Sequence, residues 1–382
     1  MTGEGSPRPV IGLYASQLAP EGGPSGVHRY AAELASSLAD LFPGRYRLVA
    51  SAEDAEPSWT PGAMPVTRLP GPRRLLHLGW TLAGRPRIER FVNDLRLVHV
   101  LYPAFPVPSR VPVVYTFHDV FPIHHPEWYA PRAVRLFEAA ARDARRRAAR
   151  VVAVSDRVAQ ALRDDLAIER SRITVIHEGV AERFRVTPAA ETVNAVCSKH
   201  GVQPHRYFLY VGAVSPRKNL VTLVRAFERV GSGTALVVAG HAGAGSEVVT
   251  DEIERLSLAG RVLMVGRVDD PDCAALMAGS LALVHPSLDE GFGLTPLEAM
   301  AIGTPAIASR SGALPEVLED AAVLIDPQDV DAWTAAMDRV AQDRDHAAAL
   351  AEQGKRQARS FTWERAARAT ATVHDEVLAG TK

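Results

Sequence analysis

Short, continuously apolar runs punctuate this chain from end to end, and they restrict its fold more than any other feature. VIGLYAS (10–16), YRLVAS, LVHVLY, VPVVYTF and RVVAVS lie in the first half, and YFLYVG, ALVVAG, RVLMVG, LALVHPS, TPAIAS and AVLID in the second. Each is strand-sized and lacks the polar alternation of a strand with one wet face. Helical or loop segments separate them, for example Gly26 to Ala39. Strands that are apolar on both faces and alternate with helices build parallel sheets covered on both sides. Open twisted sheets rarely exceed about ten strands, so one sheet would be too wide. The pattern therefore predicts an α/β protein of two doubly wound domains, and 382 residues suffice for both. The weakest pattern lies at 180–206, which contains Pro188 and Pro204 and leads into a fresh strand at Tyr207. The expected division is a first domain at 1–187, a second at 188–360, and a closing helix at 361–382 that carries the apolar anchor Trp363.

Composition narrows the class of function. Hydrophobic residues make up 47% and charged residues 23%, a globular profile. No apolar run approaches the length of a membrane span. The opening MTGEGSPRPVIGLY has no basic region followed by an apolar core, so it reads as lacking a secretion signal. Cys197 and Cys273 are the only cysteines and have no metal-type spacing, which argues for a reducing, cytoplasmic compartment. The net charge of −1 hides an asymmetry. Residues 1–190 hold 25 arginines, no lysine and 19 acidic residues, and the remainder is acidic. Two readings stay open for this surplus. One is a solvated helix surface; the other is an anionic partner, such as the inner face of a membrane contacted peripherally. Nucleic acid does not fit, because aromatic residues do not interleave with the charges.

Ligands of doubly wound sheets bind beyond the carboxyl ends of the strands, and the polar motifs of this chain fall there. DEGFGLTPLEAMAIGTP (289–305) places Glu290 and Glu298 on either side of GFGLTPL. Gly291 and Gly293 let the backbone turn tightly and approach a ligand. Thr295 reads as an N-cap, Pro296 as the first helical residue and Glu298 as the third, with Gly303 and Pro305 ending the helix. Glu298 is thus either half of a capping box with Thr295 or a ligand contact. VGAVSPRKNL (211–220) puts Arg217 and Lys218 at a helix start after a strand and Gly212, an arrangement that suits a diphosphate. EGGPSGVHRY (21–30) offers Gly23 and Gly26 as a phosphate-approach loop, or as a plain connector; it is not a dinucleotide fingerprint. His118 and Asp119 follow the strand at 111–117. The nearby His124 and His125 lack metal-ligand spacing, and no metal site is read.

Glu290 and Glu298, separated by the seven residues GFGLTPL, resemble the signature of retaining glycosyltransferases of the GT-B type, specifically glycosyltransferase family 4 (group 1), which includes mannosyltransferases. Arg217-Lys218 stands in the expected order before it. The resemblance covers about residues 10–370 and implies several things. The fold would be two Rossmann-like domains facing a cleft, with the last helix crossing back to the first domain. The first domain would take the acceptor and the second a nucleotide-diphospho-sugar. Arg217 and Lys218 would grip the diphosphate. Glu290 with the loop Gly291, Phe292, Gly293 and Leu294 would hold the sugar, and Glu298 the ribose. Gly23, Gly26 and Gly212 would lie by the phosphates, and Val265 and Gly266 by the base. His118 would face the reacting sugar, oriented by Asp119. Many relatives have Gly-Arg where this chain has Gly212-Ala213, so one phosphate contact would be missing.

The resemblance further implies a metal-independent hexosyltransferase with no cofactor. With no carboxylate nucleophile evident in the first domain, it implies a front-face route in which the departing phosphate assists acceptor deprotonation. PRKNL and HHPEWY look most like mannosyl- or rhamnosyl-type members, which leans the donor to GDP-mannose. The acceptor would be a saccharide, a lipid-linked saccharide or a small molecule. Two other activities stay open for the same architecture: a catalytically weak partner subunit, and a nucleotide-sugar epimerase.

Overall fold

A computed structural model describes residues 10–15, 26–53, 64–231 and 233–380. The chain forms two compact units, Met1–Gly179 with Trp363–Lys382, and Val180–Thr362.

The first unit is built on seven strands: β1 Val10–Tyr14, β2 Tyr46–Ser51, β3 Val66–Leu69, β4 Leu95–Val100, β5 Val113–Phe117, β6 Ala148–Ala153 and β7 Ile173–Val175. They pair in parallel in the order β3-β2-β1-β4-β5-β6-β7. The second unit has six: β8 Tyr207–Val211, β9 Ala235–Ala239, β10 Val262–Gly266, β11 Ala282–His285, β12 Ala306–Ser309 and β13 Val323–Ile325, ordered β10-β9-β8-β11-β12-β13 and again parallel. Each sheet reverses direction of growth once, between β1 and β4 and between β8 and β11. At such a switch point the flanking loops part and leave a crevice. Every apolar run named above is a strand. Two strands, β3 and β7, are short and carry polar residues, and the apolar pattern did not reveal them.

The boundary lies earlier than the prolines suggested. Val180 N donates to Phe361 O at 3.0 Å, and Val180 bridges Thr362, so the outgoing and returning chains are tied together there. Thr187 Oγ1 donates to Ile302 O at 3.0 Å. Segment 180–187 therefore belongs to the second unit, and Pro188 lies inside it. The closing helix Trp363–Ala379 joins the first unit. Trp363 packs edge-on against Tyr30 with ring centroids 5.6 Å apart.

One glycine shows how closely the second unit is packed beside its switch point. A Cβ on Gly240 would sit 1.8 Å from Gly212 O. The Cβ is fixed to its own backbone and the atom it meets is backbone, so neither can yield by a rotamer change. Gly240→Ala is expected to cost about 3 kcal/mol, whereas Gly260→Ala, where no atom lies within 4 Å, serves as control. Thermal denaturation of the two variants checks this; equal melting would contradict the packing.

Candidate active site

Two loops meet at the switch point of the second sheet. One leaves β8 through Gly212, whose φ of +150° favours glycine. It continues into a single 3-10 turn, Pro216–Lys218, and Asn219 at φ 54° then opens the helix Leu220–Glu228. Arg217 and Lys218 therefore precede the helix by a turn, rather than occupying its start as the pattern suggested. The turn is pinned: Asn219 Nδ2 donates to Pro286 O at 3.1 Å and to Pro327 O at 2.7 Å, and Leu288 N donates to Arg217 O at 2.8 Å.

The other loop leaves β11 at His285 and carries Glu290. Four side chains converge there, from Arg217 and Lys218 to His285 and Glu290. Arg217 Nη1 lies 2.9 Å from Glu290 Oε2 and donates to Asp289 O at 2.7 Å. Lys218 Nζ pairs with Glu290 Oε1. His285 Nε2 lies 2.9 Å from that same oxygen. Glu290 is 9% exposed and His285 2%. The carboxylate can only accept, so His285 presents its Nε2–H to it. Burial alone would raise the Glu290 carboxyl, but Arg217, Lys218 and His285 outweigh it and hold the group well below the usual carboxylate range. Burial and the adjacent Arg217 charge pull Lys218 down to about 8, against the attraction of Glu290. His285 is lowered by burial and then by Lys218, so it sits in the cluster neutral.

The glycine loop after Glu290 enters its helix differently from the expectation. The helix is Leu294–Ile302, with Gly293 as N-cap at φ 113° and no side-chain cap bond. Thr295 and Glu298 therefore form no capping box, because the glycine conformation places the cap two residues before the expected one. Glu298 is 1% exposed on this helix. Residues 311–317, SGALPEV, close over the loop. Ala313 N donates to Glu290 O at 2.8 Å, and a Cβ on Gly312 would fall 2.3 Å from that oxygen. Phe292 is buried, edge-on to Phe361 at 5.9 Å. Val265 and Gly266 end the edge strand β10, two strands out from β8, and Gly266 O accepts from Gly240 N at 2.7 Å.

In the first unit, Gly26 is the exposed first residue of the helix Gly26–Leu41. Gly23 lies outside the described residues. His118 follows β5 and is 8% exposed. Its Nε2 donates to Leu101 O at 3.0 Å, and its Nδ1 lies 3.1 Å from Glu178 Oε1. The orienting carboxylate is thus Glu178 and not Asp119. Asp119 Oδ1 accepts from Phe121 N at 3.2 Å, across a local turn. Glu178 and His285 are the two site residues that the motif reading passed over. The faint signals were a carboxylate in VIHEGV at the end of β7 and a histidine closing the apolar run LALVH. Among the described residues no three His, Cys, Asp or Glu side chains gather as a metal ion would require.

Comparison with known proteins follows the same division. Residues 24–184 match Glycosyltransferase Family 4, and residues 198–357 match Glycosyl transferases group 1. The O-antigen chain mannosyltransferase B of Escherichia coli is 31% identical over 277 residues, covering 69% of this chain and 70% of that protein. A D-inositol 3-phosphate glycosyltransferase of Salinispora tropica is 30% identical over 248 residues, covering 60% of this chain and about half (51%) of that protein. The crystal structure of Anabaena Alr3699/HepE in complex with UDP and glucose superposes with a TM-score of 0.76 at 20% identity, over 96% of this chain and 99% of that one. At that identity the likeness speaks for the fold. The chain is a glycosyltransferase and belongs to the group 1 glycosyl transferases, glycosyltransferase family 4.

Proposed function

We propose that this glycosyltransferase transfers a hexose, with mannose preferred, from a nucleotide-diphospho-sugar to a saccharide, lipid-linked or small-molecule acceptor, with retention at the anomeric carbon and without a metal ion. The observation that carries the reading is the convergence of Arg217, Lys218, Glu290 and His285 at the switch point of the second sheet. As the bond from anomeric carbon to phosphate breaks, negative charge grows on the diphosphate. Two fixed cations in a half-buried pocket suit that charge, and they fill the role a divalent ion plays elsewhere. Glu290 suits sugar hydroxyls, because an ionised carboxylate is a strong acceptor.

The first unit would receive the acceptor. There both ring nitrogens of His118 are engaged, by Glu178 and by Leu101, so it offers a fixed ring. That supports the front-face route, in which the departing phosphate takes the acceptor proton. The mannosyltransferase relative supports the lean to mannose, and GDP as its carrier rests on the sequence resemblance. The arginine surplus of the first unit supports, in addition, a peripheral contact with an anionic membrane face.

A thermal-shift panel of GDP, UDP, dTDP, ADP and their sugar conjugates, with and without EDTA, tests the donor. At a hundredfold excess over the dissociation constant the bound ligand stabilises by about 2.7 kcal/mol. The expected result is a GDP-selective shift that EDTA leaves unchanged. A shift confined to UDP would replace the donor, one abolished by EDTA would end the metal-free reading, and none at all would remove the donor site.

A further inference from the structure

The helix Arg73–Ala83 of the first unit has two apolar faces, and only one of them is used. Leu76, His77 and Trp80 form the buried face, between 2% and 8% exposed. It is fastened tightly. His77 Nε2 lies 2.9 Å from Tyr14 Oη, Trp80 Nε1 donates to Pro86 O at 2.7 Å, and the His77 ring stacks on Phe105 with centroids 3.6 Å apart. The opposite face carries Leu75, Leu78 and Leu82, exposed at 65%, 53% and 77%. At 3.6 residues per turn these three fall in one stripe about 60° wide. The other large apolar side chains exposed among the described residues, Val186, Val248 and Met264, belong to the second unit and stand on separate segments. Scattered exposed leucines need no explanation, but an aligned stripe on a rigidly held helix does.

Charge says what covers it. Between Met64 and Arg90 the chain holds six arginines, Arg68, Arg73, Arg74, Arg85, Arg87 and Arg90, and one acid, Glu89. Glu89 is engaged inward, where its Oε1 accepts from Arg110 N and Val111 N. Arg74 lies beside Leu78 on the helix surface, and Arg85 and Arg87 follow the Gly84 cap, all three exposed. A leucine stripe rimmed by arginines matches a bilayer whose headgroups are anionic: the leucines enter the acyl boundary and the arginines meet phosphate. A second copy of the chain fits poorly, because a two-fold contact would bring the same arginines together.

We infer that the helix Arg73–Ala83 is the element that seats the first unit on an anionic phospholipid surface, through Leu75, Leu78 and Leu82 with Arg74, Arg85 and Arg87. This rests on the peripheral contact proposed above and is independent of the transfer chemistry. Such a helix lies in the plane of the interface and combines two individually weak signals, apolar and basic.

Co-sedimentation of the full chain with phosphatidylcholine vesicles, with and without phosphatidylglycerol, tests it. The protein should pellet with the anionic vesicles and release as salt rises. Leu75→Gln/Leu78→Gln/Leu82→Gln should weaken binding by about tenfold or more, with little change in melting temperature because all three side chains are mostly exposed and Gln is close to Leu in helix propensity. Arg74→Glu/Arg85→Glu/Arg87→Glu should do the same, and Arg132→Glu/Arg135→Glu, on another basic helix of the unit, should not. If the wild type never pellets, the peripheral contact itself falls. If it pellets and the leucine variant pellets equally, the contact stands but its placement on this helix is wrong. If the leucine variant instead turns a dimer into a monomer with no change on vesicles, a second copy covers the stripe and the inference is overturned.

Discussion

Lys218→Ala is expected to lower turnover by about 10²–10³-fold, the usual loss when one preorganised group that meets transition-state charge is removed. The side chain is 14% exposed and ion-paired with Glu290. Holding an ammonium there is costly, which is why burial and Arg217 bring it down to about 8. A cation kept in an unfavourable place gains most when an anion arrives, and the diphosphate leaving group is that anion. The fold should survive the change. Glu290 keeps Arg217 at 2.9 Å and His285 at 2.9 Å, so no carboxylate is left buried and alone. Circular dichroism should therefore be unaltered while the rate falls. Should Lys218→Ala turn over at close to the wild-type rate, the assignment of the pair to the diphosphate would be wrong.

The strands and the order of the two loops were legible because burial on both faces leaves continuous apolar runs, as in YFLYVG and ALVVAG. Arg217, Lys218 and Glu290 were legible because each stands just past such a run. Their mutual contact was not, since nothing local announces that residues 72 apart share one carboxylate. The start of the Leu294–Ile302 helix was misplaced for a conformational reason. Thr295 has the better capping side chain, but Gly293 can take φ 113°, and the backbone used that freedom. Glu178 was hidden because its partner, His118, lies 60 residues earlier, whereas Asp119 stood next to it. The prolines misled at the boundary because the linkage there is a backbone pairing of Val180 with Phe361, which side-chain identity does not encode.

The first unit is expected to lose stability as pH falls from about 6.5 toward 5, ahead of the ordinary titration of carboxylates. A chain of buried side chains ties its closing helix to the sheet. Tyr46 Oη lies 3.2 Å from His374 Nδ1, and His374 Nε2 lies 3.0 Å from His99 Nδ1. The chain goes on from His99 Nε2 to Thr116 Oγ1 at 2.8 Å, and from there to Tyr30 Oη at 3.1 Å. His99, Thr116 and His374 are all 0% exposed. Each neutral imidazole has one N–H and one lone pair, so the series can run head to tail with every contact satisfied. Burial, then the His118 charge, takes His99 down to about 3. Burial, then His99 and Arg45, takes His374 well below its ordinary value. The sign follows from linkage. Both groups have folded values below the unfolded value of about 6.5, so the unfolded chain binds more protons between the two, and stability falls with pH through that window. At about 1.4 kcal/mol per pH unit, His99 alone removes about 2 kcal/mol between pH 6.5 and 5, and His374 acts in the same direction. Carboxylates held low, such as Glu290, begin to contribute only nearer their unfolded values of about 4, so the window isolates the histidines. Hydrogen exchange of Trp363–Ala379 at pH 7.5, 6.5 and 5 is the direct readout, because this helix is what the chain of contacts holds. His99→Gln/His374→Gln should be less protected at pH 7.5 and should lose less protection than the wild type as pH falls, the remainder coming from His77, which burial lowers to about 4. Equal protection of the wild type at all three pH values would mean that the two rings do not resist protonation, and the neutral arrangement would have to be given up.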